Sequence, residues 1–237
     1  MRKFWKPSRK AQAQEYLASG HEYSLNNKNQ TALQQYEKAL EIAKQEGYKL
    51  EETQACLRLG NCYMLYNRDQ TAAEYYKKAL TIAIEQGYKL EETRAYLDLG
   101  DCFKSNNRNE NAIEYYRRCL EIARTQGYKK EEIKANLGLG NASKSKNLNN
   151  IEYAVPFFSK ALGIAKEQGY QHLESQVHLV FGENYRSDNQ IDKSIEHYEK
   201  ALKIVRKRAL QVGTGQGLKL LEAQAHCGLG HAYRSKN

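Results

Sequence analysis

Glycine recurs at a nearly fixed interval along this 237-residue chain, and this periodicity constrains the fold more than any other feature of the sequence. The recurring residues are Gly20, Gly60, Gly100, Gly140, Gly182 and Gly230, of which the first four are 40 residues apart. An aromatic residue lies three positions after each of them except Gly140. Self-similarity at such a period is typical of stacked repeats, each of which contacts only its neighbours. We therefore expect a repeat protein rather than a domain with one central core.

The segment 48–87 shows what one repeat contains. Its apolar residues fall on two helical faces at three- and four-residue spacing, and the short polar run Asn67-Arg68-Asp69 separates the two faces. The segment ends in Gly87, and a glycine just after a helix accepts the left-handed conformation that terminates it. The same Gly-Tyr pair recurs at 47–48, 127–128 and 169–170. The sequence therefore predicts an all-α fold of antiparallel helix pairs, in which Gly60 faces Ala72 and Ala79 where the two helices approach closely.

Five helix pairs and one unpaired terminal helix account for the chain as a single array over residues 1–237. The repeats lie approximately at 9–47, 48–87, 88–127, 128–169 and 170–217, with a half-repeat at 218–237. The fourth repeat has two additional residues in its turn, Asn147–Asn150, and Pro156 at a position that a first helical turn tolerates. In the fifth repeat, Gly213-Thr-Gly-Gln-Gly217 replaces the Gly-Tyr stop. Because it lacks the Gly-Lys-Ser/Thr ending of a phosphate loop, we expect a flexible turn.

The run Leu59-Gly60-x-x-Tyr63, followed by Ala72, Tyr76 and Ala79, resembles the tetratricopeptide repeat, or TPR. The resemblance extends over nearly the whole chain. The 40-residue unit is similar to a long-repeat branch of the family, which includes proteins like tetratricopeptide repeat protein 28 and the G-protein-signalling modulators that orient mitotic spindles. The resemblance implies a right-handed α-solenoid that acts as a non-enzymatic protein-interaction scaffold.

Composition and motifs argue against several functional classes. No apolar run reaches 18 residues and no apolar segment follows the basic N-terminus, so we expect neither a membrane span nor a secretory signal. The five cysteines form no CxxC pair and are expected to be small buried side chains in a reducing, cytoplasmic setting. The paired acids at Glu51-Glu52, Glu91-Glu92 and Glu131-Glu132 are expected to stabilise helix N-termini. We therefore expect no catalytic residue, no metal and no cofactor.

The family resemblance places peptide-contacting side chains on the first helix of each pair, at positions −6, −3, −2, +1, +4 and +5 from the repeat glycine. At +1, Asn61 and Asn141 match the family residue that hydrogen-bonds a bound peptide, although polar residues here could equally serve only to solvate an exposed face. Cations fill the other candidate positions: Arg58, Arg94, Lys104, Lys134, Lys144, Arg186 and Arg234. Opposed by Asp98, Asp101 and Glu183 only, they bring +4 of the chain's net charge of +9 to these positions.

These residues predict a concave groove that binds an acidic linear or helical segment of a partner protein, since a cationic surface attracts acidic ligands. One alternative is that cations near a helix C-terminus only complement the helix dipole. A second is a nucleic-acid-binding solenoid, favoured by the net charge and by Arg206-Lys207-Arg208. Interleaved acids and the lack of stacking aromatics at +4 and +5 argue against it. A third is a structural spacer within a longer TPR array.

Overall fold

The computed structural model describes residues 8–147, 150–213 and 215–236. Leu148 and Asn149 of the predicted insertion, Thr214 of the glycine-rich turn and the N-terminal residues 1–7 lie outside this range. The described residues form α-helices, one 3-10 turn and no strand, which confirms the all-α prediction. The helices are α1 Arg9–Leu25, α2 Asn29–Glu46, α3 Lys49–Leu65, α4 Asp69–Gln86, α5 Lys89–Ser105, α6 Asn109–Gln126, α7 Lys129–Lys146, α8 Val155–Glu167, α9 Gln171–Ser187, α10 Ile191–Val212 and α11 Gln216–Lys236.

Contacts between the helices divide the chain into two compact units, which end and begin within α6. Unit 1 runs to Ile122 and contains α1 to α5 and most of α6, whereas unit 2 begins at Ala123. In both units each helix packs against the next one along the chain, as helical hairpins require. The first helix of a hairpin also contacts the first helix of the next, as α1 does with α3 and α7 with α9. The repeat boundaries given above remain a prediction.

Two kinds of left-handed residue produce the turns. At the end of a hairpin, Gly47, Gly87, Gly127 and Gly169 have φ between +64° and +73°, as predicted. The following tyrosine donates its backbone N–H back into the finished helix, as Tyr48 does to the carbonyl of Ala43 at 2.8 Å. Inside the hairpin, an asparagine takes the left-handed conformation instead; the residues are Asn27, Asn67, Asn107 and Asn189. Asparagine tolerates this region because its short side chain can hydrogen-bond locally.

The repeat glycines make room for an aromatic ring. A Cβ atom on Gly60 would lie 2.3 Å from Cε1 of Tyr76, too close for two carbon atoms. The atoms nearest to such a Cβ therefore belong to Tyr76, a contact that the sequence analysis did not predict. That Gly60 also faces Ala72 and Ala79 remains a prediction. The same contact recurs in four other hairpins, as Gly20 with Tyr36, Gly100 with Tyr116, Gly140 with Phe158 and Gly182 with Tyr198. Each ring is almost fully buried and anchors the core of its hairpin.

Unit 2 departs from this regularity in its last two hairpins. Pro156 lies in the first turn of α8, where its missing N–H costs little, as predicted. The second helix of the fifth hairpin, α10, has 22 residues, four more than α2 or α4. The last helix begins at Gln216, two residues before the predicted boundary. A Cβ atom on Gly228 would meet the Tyr198 ring, whereas one on Gly230 would meet no atom within 4 Å, so Gly228 rather than Gly230 takes the place of the repeat glycine here.

Two further expectations concern membrane helices and cysteines. No helix among the described residues combines the length and apolarity that crossing a membrane requires. Four of the cysteines are buried, as expected for small apolar side chains, and burial raises the pKa of Cys56 to about 11. Cys227 is the exception, because it lies on the exposed side of α11.

Candidate protein-binding surface

The candidate surface consists of the predicted ligand-contacting positions on the first helices, and we call the set of these residues in each unit its stripe. The unit 1 stripe contains Arg58, Asn61, Arg94, Asp98, Asp101 and Lys104. The unit 2 stripe contains Lys134, Asn141, Lys144, Glu183, Arg186 and Arg234. Position −3 does not belong to either stripe in most repeats, because Leu57, Leu97 and Leu179 are buried there. Leucines at this position pack between helices and are not available to a ligand.

Asn61 in unit 1 is oriented by a tyrosine from the second helix of its own hairpin. The Tyr76 hydroxyl donates to Oδ1 of Asn61 at 2.7 Å. Burial raises the pKa of Tyr76, so its hydroxyl remains a donor. This bond occupies the amide oxygen and leaves the Nδ2 donors of Asn61 pointing away from the tyrosine. Tyr116 makes the same contact with Oδ1 of Asp101 at 2.6 Å in the next hairpin.

The three cations of the unit 1 stripe have different environments. Arg58 is exposed and Lys104 is half-buried. Arg94 lies with its Nη1 atom 4.0 Å from Oε1 of the buried Glu91. Its counterpart one repeat earlier, Gln54, donates to the same Glu91 oxygen at 3.3 Å. Position −6 therefore connects successive first helices, and Arg94 is held within that connection.

The paired glutamates do more than open their helices. They lie in the first turns of α3, α5 and α7, as predicted, but they are also buried. Glu52 accepts from the Lys49 ammonium at 2.8 Å, and Glu51 accepts from the side chain of Gln14 in α1 at 2.8 Å. In unit 2, Glu132 accepts from Lys129 at 2.9 Å and from Arg124 Nε at 3.1 Å. A buried carboxylate needs such partners, so these glutamates also link neighbouring helices.

Lys144 in unit 2 is buried rather than exposed. Its side chain is only 6% accessible, and its ammonium donates to the hydroxyl of Ser187 and, at 3.4 Å, to the carbonyl of Asn184. Burial lowers the pKa of Lys144. The ammonium therefore ties α7 to α9, and a ligand could reach it only by displacing these bonds.

Asn141 is also tied to α9. The tyrosine that orients Asn61 in unit 1 is replaced by Phe158 in this hairpin, which has no hydroxyl. Asn184 donates through Nδ2 to the Asn141 amide oxygen at 3.1 Å instead. As in unit 1, the amide oxygen is occupied and the Nδ2 group is left as the donor.

The other three cations of the unit 2 stripe are exposed. Lys134 and Arg186 lie on α7 and α9, and Arg186 is beside the Tyr198 phenol. Arg234 in α11 lies 2.9 Å from Nδ1 of His231. Counting side-chain charges, the unit 2 stripe carries a net +3 and the unit 1 stripe a net +1. The positive character of the candidate surface is therefore concentrated in unit 2.

Two histidines in unit 2 contact each other, which the sequence analysis did not predict. The Nδ1 atoms of His178 in α9 and His197 in α10 are 3.0 Å apart, so one ring donates to the other. The rings of Phe181 and Tyr185 pack against His197, with centroids at 4.5 and 5.4 Å. Burial lowers the pKa of both histidines to about 4. Alignment of the repeats could have found this pair, because both positions hold tyrosine in the third repeat, where Tyr96 and Tyr115 pack together.

No group of three or more His, Cys, Asp or Glu side chains within the described ranges has a geometry suited to a metal ion.

The structure also contains hydrogen bonds that the periodicity of the sequence did not reveal, namely those from tyrosine hydroxyls to position +1 and those from glutamine at position −6 to glutamate. Both recur with the repeat, so columns of the aligned repeats carry the signal. The partner in each case became visible only when the helices were packed.

Comparison with solved structures shows the same fold at low sequence identity. Aspartyl phosphate phosphatase F from Bacillus subtilis superposes with a TM-score of 0.68 at 14% identity, over 98% of this chain and 61% of that one. The Rap conjugation gene regulator of plasmid pLS20, in complex with the Phr* peptide, gives 0.68 at 19% identity, over 100% and 64%. The TPR-like repeats of a putative kinesin light chain from Podosopora anserina give 0.63 at 13%, over 88% and 100%. The chain thus spans less than two thirds of the first two proteins.

Comparison with the curated proteins gives no match. Family models do match. One model of the tetratricopeptide repeat covers residues 52–125, and a second model of the same repeat covers residues 13–46 and 175–207. Together they account for more than half of the chain, in register with the helical hairpins described above. The chain therefore belongs to the tetratricopeptide repeat family.

Proposed function

We propose that this protein is a non-enzymatic interaction scaffold that binds an acidic segment of a partner protein along the unit 2 stripe. The observation that carries the proposal is the exposure of three cations, Lys134, Arg186 and Arg234, on consecutive first helices. Glu183 is the one acid among the stripe positions of unit 2. A surface of one sign attracts a ligand of the opposite sign and raises its rate of encounter.

Two amides support a peptide ligand over a simple anion. Asn141 in unit 2 and Asn61 in unit 1 both have their amide oxygens occupied, which leaves Nδ2 as the donor. Such a donor suits a backbone carbonyl of an extended or helical segment. The structurally similar Rap regulator was solved with the Phr* peptide, which agrees with peptide recognition by this fold. Within the family, the 40-residue unit favours the long-repeat branch of tetratricopeptide repeat protein 28 and the spindle-orienting modulators.

The roles of the candidate cations follow from their environments. Lys134, Arg186 and Arg234 supply the charge that an acidic ligand meets, with Arg58 and Lys104 as weaker contributors in unit 1. Lys144 and Arg94 have a structural role instead, since their charged groups are bound to other residues of the chain. We place this scaffold in the cytoplasm, in keeping with its cysteines.

Charge reversal tests the proposal. A fluorescein-labelled peptide of Glu, Ala and Leu serves as the acidic probe, and its affinity is measured by fluorescence anisotropy at two salt concentrations. The variant Lys134→Glu/Arg186→Glu/Arg234→Glu should weaken binding at least tenfold and reduce its salt dependence. Each of the three cations is expected to contribute about 1 kcal/mol to binding, and the variant loses all three contributions.

The matched control reverses three exposed lysines on second helices, as Lys44→Glu/Lys77→Glu/Lys160→Glu, which changes the net charge by the same amount. This control should retain the affinity of the unaltered protein. An equal loss of affinity in both variants would mean that net charge alone causes binding. Unchanged affinity in both variants would overturn the assignment of the binding surface. Tight, salt-dependent binding of RNA in a gel shift, in place of the peptide, would favour the nucleic-acid alternative. Failure to bind any of these probes would favour a spacer.

A further inference from the structure

The junction between α10 and α11 has a charge unlike that of every other link between a second helix and the next first helix. We call the described residues 203–213 and 215–222 the basic tip. It contains five cations, Lys203, Arg206, Lys207, Arg208 and Lys219, and one acid, Glu222. The equivalent links at residues 41–52, 81–92, 121–132 and 163–174 have net charges of −2, −2, 0 and −1. Helix capping therefore does not explain the net positive charge, because the other junctions form without one.

The basic tip also exposes leucine. Leu210 in the last turns of α10 is 89% accessible, and Leu220 near the start of α11 is 60% accessible. Lys203, Lys207 and Leu210 are separated by four and seven positions, which places them on one face of the helix. All three are exposed, whereas Leu202 and Val205 on the other side of α10 are buried. The solvent-exposed side of α10 therefore carries two lysines and one leucine, and α11 adds an exposed leucine near its start.

Two of the cations lie close to other side chains of the protein. Arg206 lies 3.5 Å from Glu222 and 3.2 Å from His226, and Arg208 is half-buried near His172. Lys203, Lys207 and Lys219 are exposed, so their ammonium groups are available to an anionic surface.

We propose that the basic tip docks on an anionic lipid bilayer, with Leu210 and Leu220 entering the headgroup region and the three lysines contacting lipid phosphates and carboxylates. A bilayer is favoured over a protein because Leu210 is almost completely exposed. A soft apolar layer accepts such a side chain, whereas a protein would need a matching pocket. Nucleic acid is disfavoured because the tip contains no aromatic side chain for base stacking. Lysines near an anionic membrane surface each contribute about 1 kcal/mol of attraction.

Vesicle co-sedimentation of the full chain tests the proposal. The probes are vesicles of pure phosphatidylcholine and vesicles in which about a third of the lipid is phosphatidylserine. The protein should bind the anionic vesicles and not the neutral ones, and binding should fall as salt is raised. The variant Lys203→Glu/Lys207→Glu/Lys219→Glu should lose roughly a hundredfold in partitioning, about fivefold for each lysine.

Two further variants separate the contributions. Leu210→Ser/Leu220→Ser should reduce partitioning several-fold without changing its salt dependence, since it alters only the apolar contact. The control Lys44→Glu/Lys77→Glu/Lys160→Glu should bind as the unaltered protein does, although its net charge falls equally. Equal binding to both vesicle types, absence of binding, or equal loss in the control would overturn the proposal. Binding of the tip to the acidic peptide instead of vesicles would also overturn it and would assign the tip to a protein partner.

Discussion

The histidine pair of unit 2 makes the stability of this unit depend on pH. His178 and His197 are neutral near pH 7, and burial lowers the pKa of each to about 4. Lys166 in α8 and Lys200 in α10 oppose their protonation, whereas Glu196 favours it. In the unfolded chain an imidazole has a pKa of about 6.5. The unfolded state therefore binds protons more readily than the fold as the pH falls below 6.5.

The sign and size of the effect follow from this difference. The contribution is fully present above pH 6.5 and is lost as the pH falls from 6.5 towards 4. Each group costs about 1.4 kcal/mol per pH unit over that window, so two groups reduce the free energy of unfolding by up to about 4 kcal/mol at pH 5. Coupling between the rings makes this an upper bound, since the two protons belong to the pair.

The assay is urea unfolding at several pH values between 7.5 and 5, followed by circular dichroism. His178→Tyr/His197→Tyr introduces the residue types that the third repeat holds as Tyr96 and Tyr115. The variant should lose less stability on acidification than the unaltered protein. Hydrogen exchange should show the acid-induced opening in α9 and α10 but not in α3 and α4.

Carboxylates contribute to acid destabilisation in both proteins, so only the difference between them is informative. His226→Gln serves as the control for replacing a histidine outside the buried pair, because His226 is exposed. An identical loss of stability with pH in the tyrosine variant and the unaltered protein would refute the reasoning.

Three other predictions concern the packing and polar contacts of the repeat. Gly60→Ala should lower the free energy of unfolding by about 2 kcal/mol, because its Cβ would meet the Tyr76 ring. Gly230→Ala should be neutral or raise that free energy by up to about 1 kcal/mol, because its Cβ meets no atom. Urea unfolding of both variants tests the contrast, and equal effects would contradict it. Tyr76→Phe should cost about 1 kcal/mol and leave Asn61 more mobile, measured by unfolding and by the NMR signal of the Asn61 amide. Glu132→Ala should destabilise unit 2 by about 1 kcal/mol in low salt, since it removes two charge-assisted hydrogen bonds whose donors, Arg124 and Lys129, stay half-exposed to water. An unchanged melting temperature would rule out this role.

The helical hairpins and their ends could be predicted because their signals are local. Apolar spacing of three and four residues defines a helix face, and the left-handed glycines such as Gly47 follow directly from the Gly-Tyr repeats. The turn inside the hairpin was only partly predicted. Asn67 supplies the left-handed residue, but the position before α4 is Arg68, whose side chain makes no capping bond.

The stripe was harder to predict, because exposure depends on residues far away in the sequence. Lys144 occupies the same column as Lys104, yet it is buried, and its ammonium donates a hydrogen bond to the hydroxyl of Ser187, 43 residues further on. The charge of a side chain is visible in the sequence, whereas its partner is selected by the packing of one repeat on the next.

The sequence by itself determined that the chain forms helical hairpins of the TPR family, because repeat period, helix face and stop signals are properties of neighbouring residues. Only the tertiary structure decided that each repeat glycine receives an aromatic ring such as Tyr76, that the paired glutamates are buried links, and that two histidines meet in unit 2. These contacts join residues separated by about one half or one whole repeat. They exist only once helices have packed, and close packing selects among side chains that the periodic pattern treats alike.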